Sequence, residues 1–205
     1  MELYFSPLAC SLATRIALYE AGADATYTQV DPKAKRTSAG QDYHEINSLG
    51  LVPVLRTDQG ELLTENVVIL QYIADRYPAA RLAPREGIAR LRLAQWLGFV
   101  SSELHTPFFT PLLDKKAPEG AREYARERGH ARLDLLERHL AGREFLLDDF
   151  SVADAYLCAV LNWTRATDVK LADWPAVAAY HKRLHARPSI ARAFAEELAL
   201  YTRST

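Results

Sequence analysis

Cysteine is scarce in this chain of 205 residues: there are two, Cys10 and Cys158, far apart and in unlike surroundings. A secreted chain more often spends cysteines on a disulfide framework, so the scarcity points to a reducing, cytoplasmic compartment. A surplus of either charge is also missing. Lys and Arg number 25 against 26 Asp and Glu, for a formal charge of −1. No Lys/Arg cluster of the kind that grips phosphate backbones occurs, so no nucleic-acid partner is expected. No apolar run approaches the ~20 residues that span a bilayer. The opening MELYFSPLAC has no basic segment ahead of a long apolar one, so neither a membrane span nor a signal peptide is expected. Repeats and low-complexity tracts are absent as well. What is present is 49% hydrophobic residues, enough for one large core or two smaller ones.

Strand and helix patterns mix over residues 1–80. Glu2–Ser6 alternates polar and apolar residues as a short strand does, and Pro7 ends it. Leu12, Ile16 and Tyr19 then recur at helical spacing, with Gly22 as the stop. Thr26–Val30, rich in β-branched and aromatic residues, predicts a second strand. Val52–Arg56 and Glu61–Leu63 flank an Asp58-Gln59-Gly60 turn and predict a hairpin. A helix is expected over Asn66–Tyr77, burying Val68, Ile69, Tyr72 and Ile73, with Pro78 closing it. The order β-α-β, an irregular stretch, then β-β-α describes a compact α/β module. Beyond a connector at Ala79–Glu86 the strand signals vanish. Helices are expected at Gly87–Leu104, Ala121–Leu140, Val152–Thr167, Pro175–His185 and Pro188–Leu200, with Pro107 and Pro111 kinking or ending the first. Residues 87–205 thus read as an all-helical domain.

Cys10 lies where a strand hands over to a helix, in SPLACSLATR. The first amides of a helix lack internal partners and favour negative charge, which stabilises a thiolate there and lowers its pKa. They could equally hold another molecule's thiolate, and a buried structural cysteine fits the local residues as well. Pro53, just before a strand in Gly50-Leu51-Val52-Pro53, is a candidate cis proline. If it is cis, the Val52 backbone can pair with an extended peptide ligand; an ordinary turn proline is the alternative. Thr64-Glu65-Asn66 opens a helix. Capping explains it, yet its amides would also hold a ligand carboxylate while Glu65 meets an ammonium. Those are the two groups an amino acid presents. Ser151 to Asp154 has capping-box form and reads as structural, and Cys158, inside an apolar helix, reads as a packed small hydrophobe. Nothing local singles out His105. Phe5, Pro7, Leu8, Phe108, Phe109 and Trp163 are apolar pocket candidates, with core packing an equal alternative.

Taken together, SPLACSLATR, GLVPVL, LLTENVVILQYIADRYP, WLGFVSSELH and FSVADAYLCAVLNW resemble the cytosolic glutathione transferases, the bacterial beta class most closely, over nearly the whole chain. The resemblance implies a thioredoxin-like N-terminal domain (1–80) and an all-α C-terminal domain (87–205) that contributes an electrophile pocket. It further implies a homodimer, glutathione as co-substrate and no metal. It places Leu51, Val52 and Pro53 against the cysteinyl part of glutathione, Glu65 and Asn66 against the γ-glutamyl group, and Lys35 near the glycyl carboxylate. Cys10 is implied to lie beside the glutathione sulfur and to form a mixed disulfide with it. His105 is implied near that sulfur, with Ser102, Glu103 and Leu104 on the ligand side. Asn66 stands where Ser or Gly is more usual, Gly98 where a relative has asparagine, and Thr106 where lysine can occur. The implied activity is addition of the glutathione thiolate to hydrophobic electrophiles, a detoxification chemistry, with thiol–disulfide exchange or peroxidase activity through Cys10. Ala13 stands where a CxxC motif would have its second cysteine, which argues against dithiol chemistry. Two rivals use the same scaffold: a non-catalytic interaction protein like the stringent starvation protein, and a glutathione-dependent isomerase or dehalogenase.

Overall fold

The computed structural model describes residues 1–204. They form two compact units, one of Met1–Ala83 with the C-terminal segment from Pro188, the other of Pro84–Arg187.

The first unit is built on strands β1 (Glu2–Phe5), β2 (Thr26–Asp31), β3 (Arg36–Thr37), β4 (Val54–Arg56) and β5 (Leu62–Thr64), in the sheet order β3-β2-β1-β4-β5. β1 runs parallel to β2, with Leu3 opposite Tyr27, and antiparallel to β4, with Leu3 opposite Leu55. A parallel pair needs a crossover, and α1 (Leu12–Glu20) supplies it. Every residue of α1 from Leu12 to Leu18 is buried. That follows from its neighbours: it packs against α2 (Asn66–Arg76) and against the chain's last helix, Pro188–Ser204. Gly22, just beyond α1, takes the left-handed φ of +61° expected of a helix stop. On α2 the buried face is Ile69, Leu70, Ile73 and Ala74, whereas Val68, expected in the core, is exposed. The last helix belongs with this first unit, so the compact units differ from a division at residues 80–87.

The second unit opens with α3 (Gly87–Phe99), continues as a π-helix over Val100–Phe109 and ends that run with α4 (Thr110–Leu113). The helix therefore neither stops nor breaks at Pro107. Proline has no N–H to donate and its ring crowds the carbonyl four residues back; the wider π turn relieves that conflict. Pro111 sits in the first turn of α4, where its missing donor costs nothing. Then follow α5 (Glu119–Leu140), α6 (Val152–Leu161), α7 (Pro175–His185) and, back in the first unit, α8 (Pro188–Ser204). Every residue of α6 is buried, and the capping box of Ser151 and Asp154 closes its start. It ends sooner than expected, passing into a 3₁₀ turn over Asn162–Ala166.

Gly129 on α5 lets the Phe108 ring come against its backbone: a Cβ there would lie 2.0 Å from Phe108 Cδ2. Gly129→Ala is therefore expected to lose stability despite alanine's better helix propensity. The cost should be about 1–3 kcal/mol from overpacking, read as a lower urea midpoint; a midpoint at or above that of the parent would refute this packing.

Candidate active site

Three segments of the first unit converge on Cys10. Its Sγ donates to Val52 O at 3.2 Å, and its own carbonyl accepts from Asn66 Nδ2 at 2.9 Å. The turn before α1 is held by Ser11, whose Oγ accepts from Ser6 N–H and donates to Ser6 O, both at 3.2 Å. Burial pushes the Cys10 thiol up to about 12, further helped by the carboxylates Glu65 and Glu197, while the amides of Cys10 and Ser11 pull the other way. This corrects the expectation of a lowered pKa. The helix-start amides do act as the dipole argument says, but desolvation of a nearly enclosed thiol outweighs them. Cys10 in this structure is a neutral S–H donor.

Val52–Pro53 is a cis peptide bond. Pro53 is buried, and the neighbouring Leu51 is exposed. Leu51 O accepts from Tyr43 Oη at 3.0 Å and Asn47 Nδ2 at 2.8 Å, which fixes the loop ahead of the proline. Lys35 reaches the same loop, its Nζ donating to Gly50 O at 2.9 Å. Glu65 is exposed and its side chain caps nothing; its carbonyl instead receives Val68 N–H and Ile69 N–H. The amides of Asn66 and Val67 precede these, in helix positions with no partner inside the helix. The Asn66 side chain is engaged by the protein. It is buried, accepts from Thr14 Oγ1 at 3.0 Å and donates to the Cys10 carbonyl. Its amide group thus braces Cys10.

Among the described residues, four that are not glycine have left-handed φ: Leu8, Lys35, Glu65 and Arg81. Each costs of order 1–3 kcal/mol and persists where surrounding structure imposes it. Lys35 and Glu65 are predicted site residues, and Leu8 lies just ahead of Cys10.

In the second unit, Ser102 Oγ donates to Gly98 O at 2.9 Å, and Glu103 Oε2 is gripped by Arg132 through Nε at 2.8 Å and Nη2 at 2.7 Å. Leu104 is fully buried. His105 Nδ1 lies 2.7 Å from Tyr156 Oη, with the Trp163 ring 4.8 Å away. Burial lowers its pKa to about 4, so the imidazole is neutral at pH 7. Of the pocket candidates, Phe5, Phe108 and Phe109 are core residues, while Pro7, Leu8 and Trp163 keep some exposure.

Sequence reasoning missed Glu197. This fully buried carboxylate on α8 accepts Leu8 N–H at 2.8 Å and lies 2.9 Å from Arg15 Nε. It thereby ties the turn carrying Cys10 to the C-terminal helix. No local pattern in AEELAL signals a contact with residues so distant in the chain.

Comparison with known proteins agrees with this geometry. The family model described as glutathione S-transferase, N-terminal domain, matches residues 2–75, and that described as glutathione S-transferase, C-terminal domain, matches residues 99–188. Glutathione S-transferase GstA of Escherichia coli O157:H7 is 38% identical over 199 residues, which span 96% of this chain and 98% of that protein. A sphingomonad glutathione S-transferase solved in complex with glutathione is 43% identical, with a TM-score of 0.92 over 96% of this chain and 98% of its own. The bacterial beta class glutathione S-transferase of Sphingomonas chungbukensis is 40% identical, with a TM-score of 0.92 over the same shares of 96% and 98%. Fold, motif order and sequence identity extend over the whole length: this chain belongs to the glutathione S-transferase family and resembles its bacterial beta class.

Proposed function

We propose that this protein is a glutathione transferase: it binds glutathione as co-substrate, holds its sulfur as thiolate at the start of α1, and directs it at hydrophobic electrophiles. The observation that carries the reading is the meeting at Cys10 of Val52 O beside a cis proline, which takes its thiol, and of the start of α2, whose Asn66 takes its carbonyl. The Val52 backbone would pair with the cysteinyl part of glutathione. The first amides of α2 with Glu65 would take the γ-glutamyl group, and Lys35 the glycyl carboxylate. Holding both reactants in register supplies most of the rate gain, and lowering the glutathione thiol from ~8.5 toward neutral adds a larger thiolate fraction.

Cys10 and His105 are the proposed catalytic residues. Because the Cys10 thiol is neutral, it serves conjugation as a hydrogen-bond donor and not as the nucleophile. Its own covalent chemistry is thiol–disulfide exchange: the Cys10 sulfur, losing its proton, attacks a glutathione disulfide, an S–S bond to glutathione forms and one glutathione thiolate leaves. His105 would contribute a neutral imidazole. Ser102 and Glu103 remain proposed ligand-side residues, and Leu104 a support beneath them. A thioredoxin-like domain (1–80), a helical domain (87–205), a cytoplasmic location and a homodimer complete the reading. Among the described residues no helix is long and apolar enough to cross a membrane. Exposed Leu49 and Leu51 in the first unit, and Ile88 and Leu91 in the second, are side chains that a second copy would cover.

The test pairs two assays. Glutathione conjugation to an aryl halide should stay within a few-fold of the parent in Cys10→Ala, whereas reduction of a small mixed disulfide by glutathione should fall at least ~100-fold. Loss of neither activity, or no glutathione binding by calorimetry, would contradict the proposal.

A further inference from the structure

Away from these residues, the second unit gathers a cysteine and two histidines that the glutathione reading does not use. Cys158 Sγ and one ring nitrogen each of His181 and His185 lie within 4.8 Å of one another. Two helical spacings create the group. His181 and His185 stand four residues apart on α7, so their rings share a face, with centroids 4.6 Å apart. Cys158 and Asn162 are likewise four apart at the end of α6, where Asn162 N–H donates to Cys158 O. The Asn162 amide joins the two pairs: its Oδ1 lies 2.9 Å from His181 Nε2 and 2.7 Å from His185 Nε2. A shared oxygen that orients ligating rings is what histidine–metal centres use as outer support.

A second observation points to an occupant. Asn162 is only 6% exposed and its amide faces the cluster, yet its Nδ2 has no hydrogen-bond partner. A buried donor without an acceptor costs about 1–3 kcal/mol. A metal-held thiolate at Cys158 is a far better acceptor than a thiol. We propose that Cys158, His181 and His185 bind one thiophilic divalent transition-metal ion, Zn²⁺ being the reference case, with Asn162 positioning both rings. Soft sulfur with two imidazoles is a donor set for such ions and not for Mg²⁺ or Ca²⁺. Zinc bonds of ~2.3 Å to sulfur and ~2.0–2.1 Å to nitrogen set ligand atoms roughly 3.5 Å apart in a tetrahedron. Reaching that spacing from within 4.8 Å asks the ligand atoms to approach by about 1 Å. Binding replaces the Cys158 S–H proton, which leaves to solvent, by the metal–sulfur bond. The half-buried His185 gives the entry side, and the charge of Arg165, which reaches all three groups, tempers affinity.

The full chain, stripped with a chelator, is titrated with Zn²⁺ against a chromophoric competitor, and with Co²⁺ for its spectrum. One ion per chain should bind. The Co²⁺ form should have a thiolate-to-cobalt charge-transfer band that survives Cys10→Ser and vanishes in Cys158→Ala. His185→Ala should lower Zn²⁺ affinity roughly 100-fold. Circular dichroism verifies folding of each variant, and if Cys158→Ala does not fold, the His185→Ala affinity decides. Absence of saturable one-to-one binding, a band that persists without Cys158, or unchanged affinity in His185→Ala overturns the proposal.

Discussion

Replacing Asp154 with alanine should cost about 4 kcal/mol or more, the largest single loss expected in the molecule. Its fully buried carboxylate accepts from Leu146 N–H at 2.9 Å and Tyr180 Oη at 2.8 Å through Oδ1, and from Ser151 N–H and Ser151 Oγ, both at 2.9 Å, through Oδ2. Burial raises its pKa, and the donors oppose that rise. Alanine leaves every one of those donors facing a void, and each unmet buried donor costs about 1–3 kcal/mol. The capping box of α6 goes with them. Since whole-domain stability is typically about 5–15 kcal/mol, much of the variant should be unfolded near its growth temperature. Asp154→Asn should not rescue it, because the new NH₂ would meet donors. Urea denaturation measures both; an alanine variant within 1 kcal/mol of the parent would refute the network's role.

Glu197→Ala should cost about 3 kcal/mol and act on the Cys10 turn as well. Arg15 is 4% exposed, with its guanidinium 4.2 Å above the rings of Phe5 and Tyr27, and the fully buried Glu197 lies against it. Arg15 Nε lies 2.9 Å from Glu197 Oε1 but off the line of a hydrogen bond, so that contact is ionic. Alanine strips it away, opens a cavity and removes the Glu197 carboxylate that Leu8 N–H donates to; Glu196, 3.1 Å from Arg15 Nη1, retains part of the charge pairing. Burial pushes the Glu197 carboxyl up to about 7 from an ordinary 4.5, with Arg15 and the Leu8 amide resisting. A raised carboxyl pKa favours the folded protein while the group is protonated, so that contribution is whole below about 4.5 and lost as pH rises through about 7. Glu197→Gln keeps an acceptor for Leu8 and has no proton to lose. It should therefore gain on the parent between pH 5 and 8, and a pH-independent difference would speak against a buried, raised carboxyl.

The elements that local rules define were legible. The alternation before Pro7, the helix opened by Ser151 and Asp154, and the start of α7 at Pro175 all depend on neighbours in sequence, and they fold as those neighbours dictate. What depended on distant residues was not. The helix-dipole argument counts the amides beside Cys10, but burial of the thiol outweighs them, with smaller help from the carboxylates at 65 and 197. No local pattern around Asn66 shows that Thr14 and the Cys10 carbonyl engage its side chain. β3, with two residues, is too short to carry a pattern, and the sequence marks Pro107 without saying that the helix would widen around it. The sequence thus carries the positions proposed for the site, while their hydrogen bonds and protonation depend on the packing around them.

Cys10 is proposed as a lone thiol placed to meet the thiol of glutathione. Intact-mass measurement of the protein after incubation with glutathione disulfide tests it most directly. The expected result is one glutathione adduct per chain, removed by dithiothreitol, located by peptide mapping on Cys10 and absent from Cys10→Ala. An adduct on Cys158, or no adduct under conditions that modify a free cysteine peptide, would contradict it.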